Sequence, residues 1–367
     1  MSVQVTAAVQ QLKPYVAGPR LEDVCRAHGV SDMALLHANE CPEGPFPEVL
    51  QAMEAALPRL NRYPDQDCRG LRSELSTHLR VDPACLVFGN GSCELLKLLS
   101  EAYVSPGDHL LFPHPSFVVY GLVGVQRQAT LGKVPLRDHV VDLEAMAAAA
   151  TEDTSMAIVP NPNNPTGTYH GPDELRRFLS TMPPNVLVVL DEAYVEYVTA
   201  HHQDTSSWIS EFPNLVILRT FSKIYGLAGL RVGYGIAHAS VVQAIDKLRQ
   251  PYNVNTLAQV AASEALRHPN RMHARREHVA RERERVAQAL SRMGRAYVPS
   301  QANFLLVNVE GLSVPGEEVP RLLLARGVMT RSGYFMDCPG WVRVTLGTVE
   351  ENDRFLEAFA ILSQAHP

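Results

Sequence analysis

The chain has 367 residues, 46% hydrophobic and 20% charged, and its 33 basic against 39 acidic side chains give a formal net charge of −6. That balance excludes a disordered chain and leaves apolar material for a large core spread over about two domains. It also argues against nucleic acid, because RREHVARERER at 275–285 alternates its arginines with glutamates, as a solvated helix face does.

The N-terminal segment MSVQVTAAVQQLKPYV has no basic region followed by an apolar core and cleavage site, and no apolar run approaches the roughly 18 to 20 residues of a membrane span. A cytoplasmic protein without a membrane partner is expected. Cys25, Cys41, Cys68, Cys85, Cys93 and Cys338 show no C-x-x-C spacing, so reduced thiols are expected, with neither a metal site nor a disulfide framework.

In chain order, residues 1–35 carry Pro14 and a Gly18-Pro19 pair and suit an arm with one short helix near 21–28. LLHANECPEGPFP at 35–47 is a shaped loop, and Pro47 suits the first position of a helix running to about Leu60, where its missing N–H is not needed. RYPD at 62–65 is a second loop before a helix at 68–79, whose Leu71, Leu75 and Leu79 share one face. Leu86-Val87-Phe88 is a strand that runs through Gly89-Asn90-Gly91-Ser92-Cys93 into an apolar helix. Such a junction offers N–H groups and the positive end of the helix dipole to an anion. It lacks both the full dinucleotide spacing and the P-loop lysine.

Strands at 109–112, 156–159, 186–190 and 215–218 then alternate with helices at 143–150 and 173–179. Their apolar runs are continuous, as strands buried on both faces of a mostly parallel sheet must be. The predicted fold class is therefore α/β, with ligands bound beyond the carboxyl ends of the strands. After Pro251 the order changes to helices at 257–267 and 275–293, a strand at 304–309, a helix at 317–325, a strand at 341–346 and a closing helix. This predicts a smaller α+β unit. The expected division is an arm at 1–35, a large domain at 36–255, and a small domain at 256–367 joined by part of the N-terminal segment.

Chemistry concentrates in LVILRTFSKIYGLAGLRVGYGIA at 215–237, where Lys223 follows one apolar strand and precedes another. A lysine that loses solvation keeps its amine available as a nucleophile. Thr220, Ser222 and Arg231 add two hydroxyls and a guanidinium suited to a phosphate. The pattern suggests a cofactor carrying both an aldehyde and a phosphate. Asp191 and Tyr194 in VVLDEAYVEY close another apolar strand, and a carboxylate there needs a cation or a protonated nitrogen beside it. NPNNPTG at 161–167 follows a third strand. Taken singly, DEAY and NPNNPTG could equally be strand-end turns.

Taken in order, GNGS, SF, NNPTG, DEAY, TFSK and an arginine eight residues later resemble the motif series of the fold-type-I pyridoxal-phosphate enzymes. LKPY, HANECP, NRYPD, SQANF and VRVTLGTVEEND further resemble the histidinol-phosphate aminotransferase family, over nearly the whole chain. The resemblance implies a pyridoxal 5′-phosphate cofactor carried as a Schiff base on Lys223, which also acts as acid and base, and Asp191 paired with the pyridine nitrogen. It implies Asn164 and Tyr194 at the ring oxygen and Phe117 on the ring face. The cofactor phosphate would meet Ser92, Cys93, Thr220, Ser222, Arg231 and a Tyr63 from a second subunit, hence a homodimer with shared sites. Tyr15, Asn39, Asn164, Arg331 and Arg343 are the implied substrate contacts, with histidinol phosphate and 2-oxoglutarate as substrates. Cys41, Glu43 and SGYFMDCPG at 332–340 depart from the family pattern in loops expected to line the substrate pocket. That leaves open a related enzyme acting on an aromatic or specialised amino acid by transamination, decarboxylation or cyclisation.

Overall fold

The continuous apolar runs of the chain's first two thirds condense into one seven-stranded sheet. The computed structural model describes residues 3–12, 23, 25–26 and 32–364. Tyr15 and most of the helix expected at 21–28 lie outside the described residues. The large sheet comprises β2 (Leu86–Gly89), β3 (His109–His114), β4 (Thr130–Pro135), β5 (Thr154–Pro160), β6 (Leu187–Asp191), β7 (Leu215–Thr220) and β8 (Gly233–Ala237), in the order β2-β8-β7-β6-β5-β3-β4. β7, β6, β5, β3 and β4 are mutually parallel, and β8 runs antiparallel to both of its neighbours.

Alternation within these runs explains why they are apolar throughout. Val188 and Leu190 of β6 belong to one core cluster and Leu187 and Val189 to another on the opposite face, because successive side chains of a strand point to opposite sides. Leu95 and Leu99 of the helix Ser92–Tyr103 cover one face, while Leu175 and Phe178 of the helix Pro172–Thr181 cover the other. Each such buried side chain contributes about 1.5–3 kcal/mol over its exposed state.

A four-stranded antiparallel sheet, β12-β13-β10-β9, is built from β9 (Tyr297–Val298), β10 (Phe304–Asn308), β12 (Arg331–Ser332) and β13 (Trp341–Thr345). The short β1 (Ala34–Leu35) pairs in parallel with β11 (Val328–Met329), so the segment after the N-terminal arm is tied to the C-terminal third. The helix Thr256–Leu266 packs on the helices Pro47–Ala56 and Arg69–Leu79.

Several boundaries differ from expectation for local reasons. The helix from Pro47 ends at Ala56, with Leu57–Arg59 tightening to a 3-10 turn around Pro58. The long helix starts at Pro269 rather than Arg275, because proline is well suited to a first turn. β4 and the helix Val119–Gln126 were not anticipated. β4, TLGKVP, is a partly exposed edge strand with few apolar residues, and VYGLVGVQ carries glycines and valines that favour other structures.

Candidate active site

β5, β6 and β7 are adjacent and parallel, so the segments that follow them emerge side by side at their carboxyl ends. Asn164, Asp191 and Lys223 are thereby brought to one cavity of about 770 Å³, as are Ser92, Cys93, Phe117, Tyr194, Thr220, Ser222, Arg231 and Asn39. Its far wall comes from 331–343, with Arg331, Phe335, Asp337 and Arg343.

Asp191 is buried at the floor. Its Oδ2 accepts from the Tyr120 hydroxyl at 2.8 Å and its Oδ1 from the Ala193 N–H at 3.1 Å. Burial pushes its carboxyl above the usual range, against the opposing pull of those two donors and of Lys223. A carboxylate held this way favours a cationic or protonated partner in the cavity. Lys223 is half-buried, less enclosed than a lysine between strands was expected to be. Its Nζ lies 5.5 Å from the Tyr194 ring centroid.

The Tyr194 hydroxyl accepts from Asn39 Nδ2 at 3.0 Å, which leaves its own proton free to be donated into the cavity. Asn39 Oδ1 in turn accepts from Thr345 Oγ1 at 3.1 Å, and the Asn39 carbonyl accepts from Asn303 Nδ2 at 3.1 Å. Asn39 lines the cavity with its amide oxygen already committed to Thr345. Asn164 Oδ1 accepts from Arg343 Nη1 at 2.6 Å, which turns its amide nitrogen into the group left for a ligand.

One end of the cavity is an anion cradle. The helix Ser92–Tyr103 starts at Gly91 with no side chain capping it, so its first N–H groups face the cavity with the helix dipole behind them. Thr220 Oγ1 and Ser222 Oγ stand 3.0 Å apart, and Arg231 Nη1 reaches Ser222 Oγ at 3.4 Å. Gly91 sits at a φ of +77°, and a Cβ there would lie 2.6 Å from Arg231 Nη2, so only glycine admits the guanidinium. Burial and the Asp191 charge raise the Cys93 thiol above its ordinary range, which keeps it a neutral wall residue.

The far wall is cationic. Arg331 and Arg343 are direct cross-strand partners in the β12–β13 ladder, which puts both guanidiniums on the same face. Arg343 is buried, and its Nη2 donates to the His37 carbonyl at 2.7 Å. Arg331 stacks 5.3 Å from the Phe335 ring centroid and has no carboxylate partner among the described residues. At the mouth, His114 Nε2 stands 3.6 Å from Asp337 Oδ2, joining the end of β3 to the 331–343 segment.

Three expectations need correction or completion. Cys41 and Glu43 do not line the cavity: Arg275 binds the Glu43 carboxylate at 3.1 Å and the Gly44 carbonyl, and draws that loop toward the helix Pro269–Arg292. Tyr63 is 81% exposed and stacked on Tyr252, with ring centroids 4.6 Å apart, away from this chain's own cavity. Tyr120 and His37 also line the cavity, though no sequence motif marks them for it. Tyr120 sits on the helix that was not anticipated, and His37 could have been noticed only as a titratable residue inside HANECP.

Residues 31–359 match the family model for class I and II aminotransferases. The chain is 43% identical to the histidinol-phosphate aminotransferase of Moorella thermoacetica over 353 residues, covering 96% of this chain and 91% of that one. It is also 43% identical to the histidinol-phosphate aminotransferase of Geobacillus thermodenitrificans, covering 98% of each. Among solved structures, the histidinol-phosphate aminotransferase of Sinorhizobium meliloti in complex with pyridoxal-5′-phosphate superposes with a TM-score of 0.90 at 28% identity, over 99% of this chain and 98% of that one.

Proposed function

The chain belongs to the class I and II aminotransferase family, and from that premise we propose that it moves an amino group between L-histidinol phosphate and 2-oxoglutarate, giving imidazole-acetol phosphate and L-glutamate. The observation that carries the substrate assignment is Arg331 directly across from Arg343 in the cavity wall, two guanidiniums suited to one phosphate ester.

The cofactor is pyridoxal 5′-phosphate, and the residues present fit it: a buried carboxylate at one end, an uncapped helix N-terminus with two hydroxyls and an arginine at the other, and an amine between them. When bound, it supplies an electrophilic aldehyde and an electron-withdrawing ring that make the α-proton of an attached amine acidic. Asp191, its charge supported by Tyr120 and Ala193, would hold a proton on the ring nitrogen. The Tyr194 hydroxyl and the Asn164 amide nitrogen would donate to the ring oxygen, each fixed from behind, by Asn39 and Arg343 respectively. Phe117, in the cavity wall, would cover the ring face. The N–H groups of Ser92 and Cys93, with Thr220, Ser222 and Arg231, bind the phosphate. Lys223 Nζ would anchor the cofactor and, once released, would carry the proton to and from the substrate's α-carbon.

Arg343 binds the α-carboxylate of glutamate in one half-reaction and, with Arg331, the phosphate ester in the other. Asn39 acts through Tyr194. Tyr15 belongs to the same substrate set by family resemblance. The reading includes a large domain at 36–255, a small one at 256–367, and a cytoplasmic homodimer; the free thiols of all six cysteines suit a reducing compartment. Tyr63, exposed here, would then complete the phosphate cradle of a second subunit.

The deciding experiment sets purified enzyme against a panel of amino donors with 2-oxoglutarate. Turnover of histidinol phosphate well above that of phenylalanine supports the assignment, and the reverse order sinks it while leaving the transaminase chemistry. Mixing inactive Lys223→Ala with inactive Tyr63 variants should restore activity through hybrid dimers. A monomer by light scattering removes the shared-site component.

A further inference from the structure

His37 stands where three elements meet in the cavity wall: its own loop after β1, Arg331 on β12 and Arg343 on β13. Its carbonyl is one of the acceptors that hold Arg343 in place. Its imidazole Nδ1 is sealed from solvent and has no hydrogen-bond partner among the described residues. A polar atom left in that state is costly, and the ring it belongs to lies close enough to Arg331 and Arg343 to feel both charges.

The charges facing the ring are Arg331, Arg343 and, from its own loop, the exposed Glu40. Burial holds the imidazole below its ordinary range; Glu40 pulls the other way, and Arg331 and Arg343 add smaller contributions to the lowering. In the ligand-free cavity the ring is therefore neutral near pH 7. A dianion between the arginines cancels their repulsion and adds an attraction of its own, and both favour the protonated ring. A carboxylate brings half that charge.

We propose that His37 is a third arm of the anion clamp, protonated when Arg331 and Arg343 hold a phosphate dianion and neutral when they hold a carboxylate, so that one wall serves both half-reactions. The proposal rests on the histidinol phosphate and glutamate reading above and assigns the distinction between them to a residue to which the family resemblance gives no role. Its pH signature has a fixed sign. Because binding raises the pKa of His37, dianion affinity falls as pH rises from the free-state to the bound-state value, while carboxylate affinity stays level.

The test uses the holoenzyme, whose phosphate cradle is filled by the cofactor, and sulfate as probe, since sulfate stays a dianion and carries no proton of its own. Calorimetric titration at about pH 7.5, in two buffers of different ionisation enthalpy, should show roughly one proton taken up per sulfate by the wild type and about none by His37→Asn. Acetate should bring no uptake in either protein. In steady state, His37→Asn should lower kcat/KM for histidinol phosphate by about tenfold and leave the glutamate half-reaction within about twofold. Sulfate binding without proton uptake, the same uptake in the variant, or an equal loss on both donors would overturn the proposal. His37→Gln gives a second neutral replacement should the first fail to fold. If the wild type does not turn over histidinol phosphate, the donor assignment fails, and the sulfate titration still reads the arm by itself.

Discussion

The floor and the far wall of the cavity are built on different principles. The floor comes from adjacent parallel strands, so Asp191 and Thr220 close β6 and β7 and are fixed by the same ladder that fixes the core. The wall joins residues about three hundred positions apart, with Arg343 donating to the carbonyl of His37 and Asn39 hydrogen-bonded to Thr345. A site held by one sheet suits chemistry that must be the same for every substrate. A site held between a loop and a small sheet can be altered without touching that chemistry. Floor substitutions should therefore fail with all donors alike, and wall substitutions should discriminate between them.

The largest expected effect is at Lys223. Lys223→Ala should abolish turnover of histidinol phosphate and of glutamate, since the nucleophile and the proton carrier are lost together. Borohydride should fix the cofactor covalently to the wild type and release it from the variant. A reducible adduct surviving in Lys223→Ala would move the anchor to another lysine and break the comparison at its base.

Asp191→Asn comes next. A neutral amide cannot keep the ring nitrogen protonated, and the rate should fall by several orders of magnitude, by the same factor for both donors, while the cofactor stays bound through its phosphate. A loss confined to one donor would show that floor and wall are coupled. Near-normal rates would make the carboxylate a structural group.

These two residues were legible in the sequence because strand ends in a parallel sheet are marked twice, by an apolar run and by the polar residue that stops it. VVLDEAY and LVILRTFSK carry both marks, and the mostly parallel sheet follows from the same continuous runs. The wall carries no such mark. Arg331 and Arg343 were named through family resemblance, and their face-to-face placement depends on a β12–β13 register that no local pattern announces. The loop at 40–44 was misjudged because its direction is decided by Arg275, some 230 positions away in sequence, through side-chain bonds to Glu43 and Gly44. Tyr120 was missed together with its helix, where glycines and valines hide the helical period.

Arg331→Ala should separate the two regions most clearly. Removing one charge-assisted partner of a dianion costs about 1.5–3 kcal/mol, so kcat/KM for histidinol phosphate should drop roughly ten- to a hundredfold. The loss should be mild for phenylalanine, whose carboxylate needs Arg343 alone. Arg343→Ala should be severe with both donors. An Arg331 effect equal on the two would mean that the residue acts on the fold of the wall and not on the phosphate.

The smallest effect tests whether the floor is as uniform as its construction implies. Tyr120 touches neither strand end through the backbone; it reaches Asp191 from the helix Val119–Gln126, and its hydroxyl proton stabilises the ionised carboxylate against burial. In Tyr120→Phe that donor is gone while the Ala193 N–H remains, so the carboxyl moves further upward. Asp191 must be ionised to act, so the acidic limb of the pH–rate profile should shift to higher pH, with a rate loss of roughly three- to tenfold at the optimum. Both donors should show the same displacement, because the floor does not sense which anion the wall holds. A rate loss with an unmoved acidic limb would reduce Tyr120 to packing, and a displacement seen with histidinol phosphate alone would mean that the wall reaches Asp191 after all.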